Sequence, residues 1–202
     1  MKTLLCCLLL LPNLALASTA IEKKLAEGDL IFIHSQTEQA AAIAESTGSQ
    51  WTHVGVIVKK SDEWHVAEAV GPLQVNSLKS FIARSKDRKY RVMRFKYFSQ
   101  KMVPQLYVQL YKYNQPYDIF FEWSDDRIYC SELTYKVFKA VTGHPIGKLQ
   151  RTGDLKLDGP YTKRLIEERL TAIGKELNLD EPILTPVAQT VDPNMTLIVE
   201  SL

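Results

Sequence analysis

The sequence predicts an α+β domain in which a small antiparallel sheet packs against helices. Three observations lead there. Short β-rich runs crowd the stretch from Gly28 to Phe95, and two of them are joined by only a few polar residues, which suits antiparallel pairing. From Ser99 onward the apolar residues recur every three or four positions, a helical period. No repeat, linker or low-complexity tract divides the chain, so all these elements belong to one domain.

The chain opens with "MKTLLCCLLLLPNLALASTA". Lys2 precedes an apolar run from Leu4 to Leu11, and Ala15-Leu16-Ala17 supplies the small residues a signal peptidase needs. The run is too short to span a bilayer, which takes about 20 residues. The expected organisation is therefore a signal peptide over 1–17, cleaved after Ala17, and a single domain over 18–202. Such a protein is exported to the periplasm or secreted, with no membrane span. Loss of Lys2 leaves 24 basic against 23 acidic side chains, since the full chain has 25 and 23. That balance offers no electrostatic case for a nucleic-acid partner.

The elements follow in order. "GDLIFIH" is an apolar run after a turn-forming Gly-Asp and reads as a strand. "TEQAAAIAESTG" is alanine-rich and closes on Gly48, which predicts a helix. "THVGVIVKK" and "EWHVAEAV" make a hairpin around a polar turn, and Gly71-Pro72 ends it. "SLKSFIARS" has a helix-like start at Ser77, and "KYRVMRF" alternates as a half-buried strand does. Val103, Leu106, Tyr107 and Leu110 mark a helix. "NQPYDIFFEWSDDR" is a loop rich in aromatics and acids. Leu133, Val137 and Val141 then repeat every four residues up to Gly143, an amphipathic helix whose first turn holds Cys130. "GPYTKRLIEERLTAIG" is another helix, with Pro160 near its start. The tail from Glu181 is punctuated by proline and reads as mostly irregular, with one short helix near "TPVAQTV".

Cys130 draws the chemical argument. Cleavage at Ala17 removes Cys6 and Cys7, so the mature protein has one thiol and no internal disulfide. A first-turn cysteine faces unpaired N–H groups and the positive end of the helix dipole, which favour thiolate. The thiolate is the attacking species in nucleophilic catalysis, and the same N–H groups can hold an oxyanion. A base is needed, and His34, His53, His65 and His144 are the histidines. His53 heads an apolar strand, with Gly55 two residues on. A histidine base also needs a partner for its second ring nitrogen. Glu68 and His65 on the following strand are the candidates. They differ by three positions, point to opposite faces, and so at most one faces His53. Four scattered histidines and one cysteine show no metal-ligand spacing, and no metal or cofactor is expected.

Four blocks, "GDLIF", "THVGV" with "HVAEAVGP", "QPYDIFF" and "YCSELTYKVF", resemble those of the NlpC-type cell-wall cysteine peptidases. Their order is changed: the Gly-Asp-Leu and His-Val-Gly blocks come first and the Pro-Tyr and Cys-Ser blocks last. That order is similar to the circularly permuted YaeF/YiiX branch, and the likeness spans roughly Glu27 to Gly143. It implies a papain-like fold, with a small antiparallel sheet or half-barrel against the nucleophile helix. It also implies Cys130 as nucleophile, His53 as base and Glu68 as the third residue, in preference to His65. Tyr117 matches the Pro-Tyr tyrosine and is a candidate for the oxyanion or the substrate. Two positions depart from the wider pattern: Tyr129 replaces an aspartate before the cysteine, and Glu132 replaces a glycine after Cys-Ser. Both join Tyr117 as candidates to contact substrate. The function expected is an exported cysteine amidase or endopeptidase acting on peptidoglycan stem peptides or related amides. The alternatives are a lipid-directed acyltransferase or thioesterase on the same fold, and a non-catalytic wall-binding module.

Overall fold

The computed structural model describes residues 21–171 and 173–201. The expected signal peptide, with Cys6 and Cys7, lies outside the described residues. Six strands form one sheet in the order β4-β3-β2-β1-β5-β8, every neighbouring pair antiparallel. β1 (Leu30–Ser35) and β2 (His53–Lys60) lie in its middle, and their apolar stretches are buried on both faces. This is why "LIFI" and "VGVIV" read as continuous apolar runs rather than alternating ones. The hairpin from β2 to β3 (Glu63–Ala69) turns at Ser61 and Asp62, both at positive φ, as a tight turn matching the strand twist requires.

Two strands of this sheet were hidden from the sequence. β4 (Leu73–Ser77) folds straight back from Gly71-Pro72 onto β3. The tail read as irregular instead ends in β8 (Met195–Ser201), which pairs with β5 (Ser85–Phe95) from Tyr90 to Phe95. Both are edge strands and only partly buried, so they lack the strong apolar signal of the centre. A further two-stranded ribbon joins β6 (Gln150–Arg151) to β7 (Pro182–Ile183).

The helices stand close to where the periodicity puts them. α1 (Glu38–Thr47) starts on Thr37, whose hydroxyl accepts from Ala40 N–H, and stops at left-handed Gly48. α2 (Leu78–Ala83) is capped by Ser77 in the same way. α3 (Val103–Lys112), α4 (Cys130–Thr142) and α5 (Pro160–Thr171) match the three apolar patterns, and α6 (Pro186–Thr190) is the short helix of the tail. One core, with Val54, Val56, Phe95, Leu106, Leu133, Val137 and Phe138, seats α3 and α4 against the sheet. A second, with Ile31, Ile57, Val66, Val92 and Phe81, seats α2. Cys130 itself is part of the first core at its edge.

Candidate active site

α4 begins at Cys130, so its first-turn N–H groups point outward from the helix end. The first helical bond runs from Leu133 N–H to Tyr129 C=O. The thiol is hydrogen-bonded to His53 and receives the backbone N–H groups of Val54 and Ser131. His53 Nε2 lies 2.7 Å from Glu68 Oε2. That nitrogen is taken, which leaves Nδ1 for the thiol. The ring also stacks on Phe81, centroids 5.7 Å apart.

Sheet register explains the pairing of His53 with Glu68. Gly55 sits opposite Glu68 across the β2–β3 ladder, and His53, two residues from Gly55, shares that face. His65, three positions from Glu68, projects to the other face and bonds Glu63 C=O instead. Gly55 is required by packing. A Cβ there would lie 2.3 Å from Val66 Cγ1 and 3.3 Å from the Phe81 ring that supports His53.

Glu68 is wholly buried and charged, with its second oxygen filled. Oε1 accepts from Asn76 Nδ2 at 2.9 Å and from Arg84. Burial alone would raise its carboxyl, but His53, Arg84 and Asn76 outweigh burial and hold it below its ordinary range. His53 follows the same balance with the sign reversed. Burial lowers the imidazole, yet the facing thiolate and Glu68 carry it up to about 9. For Cys130 burial pushes up, while protonated His53 and the two N–H groups bring the thiol net below its usual value. The charge distribution is that of a thiolate–imidazolium pair.

Tyr117 is joined to the residue two before Cys130 by a parallel bridge with Ile128. Its hydroxyl accepts from Gln39 Nε2 at 2.8 Å, so its own proton is free to donate toward the thiol side. Burial and the negative thiolate raise it well above the ordinary tyrosine value, and it stays protonated. Tyr129 lines the cavity beside Cys130 with its ring, but its hydroxyl is committed to Leu184 N–H at 3.1 Å. Glu132 is fully enclosed and lines neither opening described below. It accepts from Tyr129 N–H at 3.3 Å, and Lys136 Nζ lies 2.8 Å from its other oxygen, outside hydrogen-bond geometry. Its place is the cap of the nucleophile helix rather than the substrate pocket.

Asn76, Arg84, Phe81 and Gln39 were not legible as site residues. They come from β4, from α2 and its C-terminal end, and from α1, and carry no local motif; only the fold brings them to His53 and Tyr117.

Two openings meet at the thiol–imidazole pair. Cys130 and Ser131 line an apolar cavity. Ile43, Phe121, Leu165, Ile166, Leu170 and Leu184 are among its walls, supplied by α1, the loop before α4, α5 and the tail. His53 and Tyr117 line a second, polar cleft, with Arg84 among its walls.

A family model described as permuted papain-like amidase enzyme, YaeF/YiiX, C92 family, matches residues 24–199. The chain is 34% identical over 173 residues to the uncharacterized protein YiiX of Escherichia coli (strain K12), covering 85% of this chain and 84% of that protein. The crystal structure of the metalloprotein yiiX from Escherichia coli O157:H7 superposes with a TM-score of 0.82 at 33% identity, over 88% of this chain and 98% of that one. The residues here do not suit a resident metal ion. Among the described residues no three His, Cys, Asp or Glu side chains are grouped to hold one, and both Glu68 oxygens are occupied beside a guanidinium. The permuted order of blocks, the antiparallel sheet with Cys130 at a helix start, and these matches agree: the chain belongs to the permuted papain-like amidase family YaeF/YiiX, a family of cysteine peptidases and amidases.

Proposed function

We propose that this protein is an exported cysteine amidase that cleaves amides of apolar acyl groups. The single observation carrying the substrate reading is the apolar cavity that Cys130 lines. A stem peptide is polar and charged and gains little from walls of Ile, Leu and Phe, whereas an acyl chain gains about 25 cal/mol per Å² buried. Three of the four acids in the loop before α4 already have partners, which leaves little to attract an amino-bearing substrate. Asp125 pairs with Lys136, Glu122 with Lys175, and Asp118 accepts from Phe120 N–H.

In this reading Cys130 thiolate attacks the amide carbon while the first-turn N–H groups of α4 and the Tyr117 hydroxyl hold the oxyanion. Imidazolium His53 gives its proton to the leaving nitrogen, the C–N bond breaks, and an acyl thioester remains. His53, now neutral, takes a proton from water. The hydroxide attacks the thioester, the acid departs, and Cys130 returns to thiolate as His53 keeps the proton. Glu68, anchored by Asn76 and Arg84, holds the ring throughout.

The test sets a dodecanoyl amide against purified peptidoglycan, with Cys130→Ala as control. Dodecanoate release that disappears in the variant is expected. Cleavage of stem peptides with the dodecanoyl amide left intact would transfer the protein to the peptidoglycan reading. Export is checked separately: the mature N-terminus, sequenced from a cell-envelope fraction, is expected at Ser18.

A further inference from the structure

We infer that Arg84 makes the polar cleft a site for an anionic leaving group, so that the amine released carries a carboxylate or phosphate. This rests on the amidase reading, which fixes the sides. The imidazolium protonates the departing nitrogen, so the leaving group must lie on the His53 side, and the acyl group on the side of the cavity that Cys130 lines.

The His53 side is chemically distinct. Ser35, Thr37, Gln39, His53, Arg84 and Tyr117 supply its polar surface, and no carboxylate lines it. Glu68, the nearest acid, has no exposed side-chain surface, whereas the side chain of Arg84 is 41% exposed. Arg84 is held in place from behind: one arm of the guanidinium donates to Glu68 Oε1 and the plane lies over the Phe81 ring, 5.2 Å from its centroid. A guanidinium has five N–H donors in a rigid fork, and that anchoring leaves others for the cleft. The neighbouring chain reinforces the sign. Lys79, Lys86, Arg88 and Lys89 flank Arg84 against the one acid Asp87. Such a cleft repels a free ammonium and binds a carboxylate or phosphate on the leaving amine. The substrate class is an N-acyl amino acid or an N-acyl aminoalkyl phosphate.

The experiment measures binding to Cys130→Ala protein, which cannot turn over, below the micelle concentration of each ligand. N-dodecanoylglycine is compared with N-dodecanoylglycinamide, and N-dodecanoyl-2-aminoethyl phosphate with N-dodecanoylethanolamine. At least one anionic ligand is expected to bind about tenfold tighter than its neutral partner, consistent with a charge-assisted contact that remains partly exposed. The pair with the larger ratio identifies carboxylate or phosphate as the natural group. Arg84→Gln should bring the ratio close to one. Val70→Glu, which adds a carboxylate to the cleft wall without touching the Arg84–Glu68 pair, should lower it too. Equal affinities for anionic and neutral ligands, or a ratio that survives both substitutions, would overturn the inference. Hydrolysis by the unsubstituted enzyme is scored separately. If all four ligands bind and none is cleaved, the amidase reading fails, while the affinity ratio still decides the role of Arg84.

Discussion

The site depends on two ionisations that hold each other in place. Below the lowered Cys130 value the thiol is protonated and there is no nucleophile; above about 9 the imidazolium loses the proton the leaving nitrogen needs. The pair titrates as a unit, so kcat/KM should be bell-shaped with its basic limb near 9. Removing the Glu68 charge removes one of the two influences that raise His53. Glu68→Gln should therefore move the basic limb to lower pH and cost about 10- to 100-fold in kcat/KM, read from pH–rate profiles of both proteins. An unmoved limb would mean that Glu68 does not bear on the imidazole. Glu132 offers a second residue-level prediction. Burial pushes its carboxyl up to about 7 against the opposing pull of Lys136. A carboxyl raised above its unfolded value contributes most stability below about 4.5 and loses it as pH rises toward 7. Relative to the native chain, Glu132→Gln should gain on the order of 2 kcal/mol over that window and then level off, measured by urea denaturation at successive pH values.

At the scale of elements, β2 and β3 are spaced by a glycine. Gly55 lets Val66 and Phe81 close over the strand, and Phe81 in turn backs the imidazole. Gly55→Ala should destabilise the domain by about 1–3 kcal/mol through overpacking. It should also lower kcat more than that loss alone explains, because the displaced Phe81 ring is the surface His53 rests on. Thermal unfolding and single-turnover kinetics on the same preparation separate the two effects. The His-x-Gly block was legible because chemistry and packing fall two residues apart on one strand. Arg84 and Asn76 were not, since a lone arginine after a short helix and an asparagine in an edge strand look like ordinary surface positions.

Across the whole molecule, the tail locks the nucleophile helix. Ser131 Oγ donates to Leu184 C=O at 2.8 Å, and Leu184 N–H donates to Tyr129. Gln189 is fully buried; its two amide N–H groups lie among Ser131 C=O, Thr134 Oγ1 and Ile146 C=O, and its Oε1 accepts from Thr134 Oγ1. The first turn of α4 is thus tied to α6 although some 55 residues separate them, Thr134 from Gln189. Gln189→Ala leaves several buried polar groups unpaired and should cost about 2–3 kcal/mol. Reactivity of Cys130 toward iodoacetamide at neutral pH should fall with it as the helix start loosens; unchanged stability and reactivity would remove the tail from the site. The sequence by itself determined the α+β class, the central strands, the helices and the Cys130–His53 pair, because apolar period, caps and short motifs are local signals. The family-like blocks already preferred Glu68 to His65; only the tertiary structure added its 2.7 Å contact with His53, turned the tail into β8 and a clamp on α4, and set an apolar cavity at Cys130 and an arginine-bearing cleft at His53. Those features are made by register and by contacts between distant segments, and no residue carries them in its own neighbourhood.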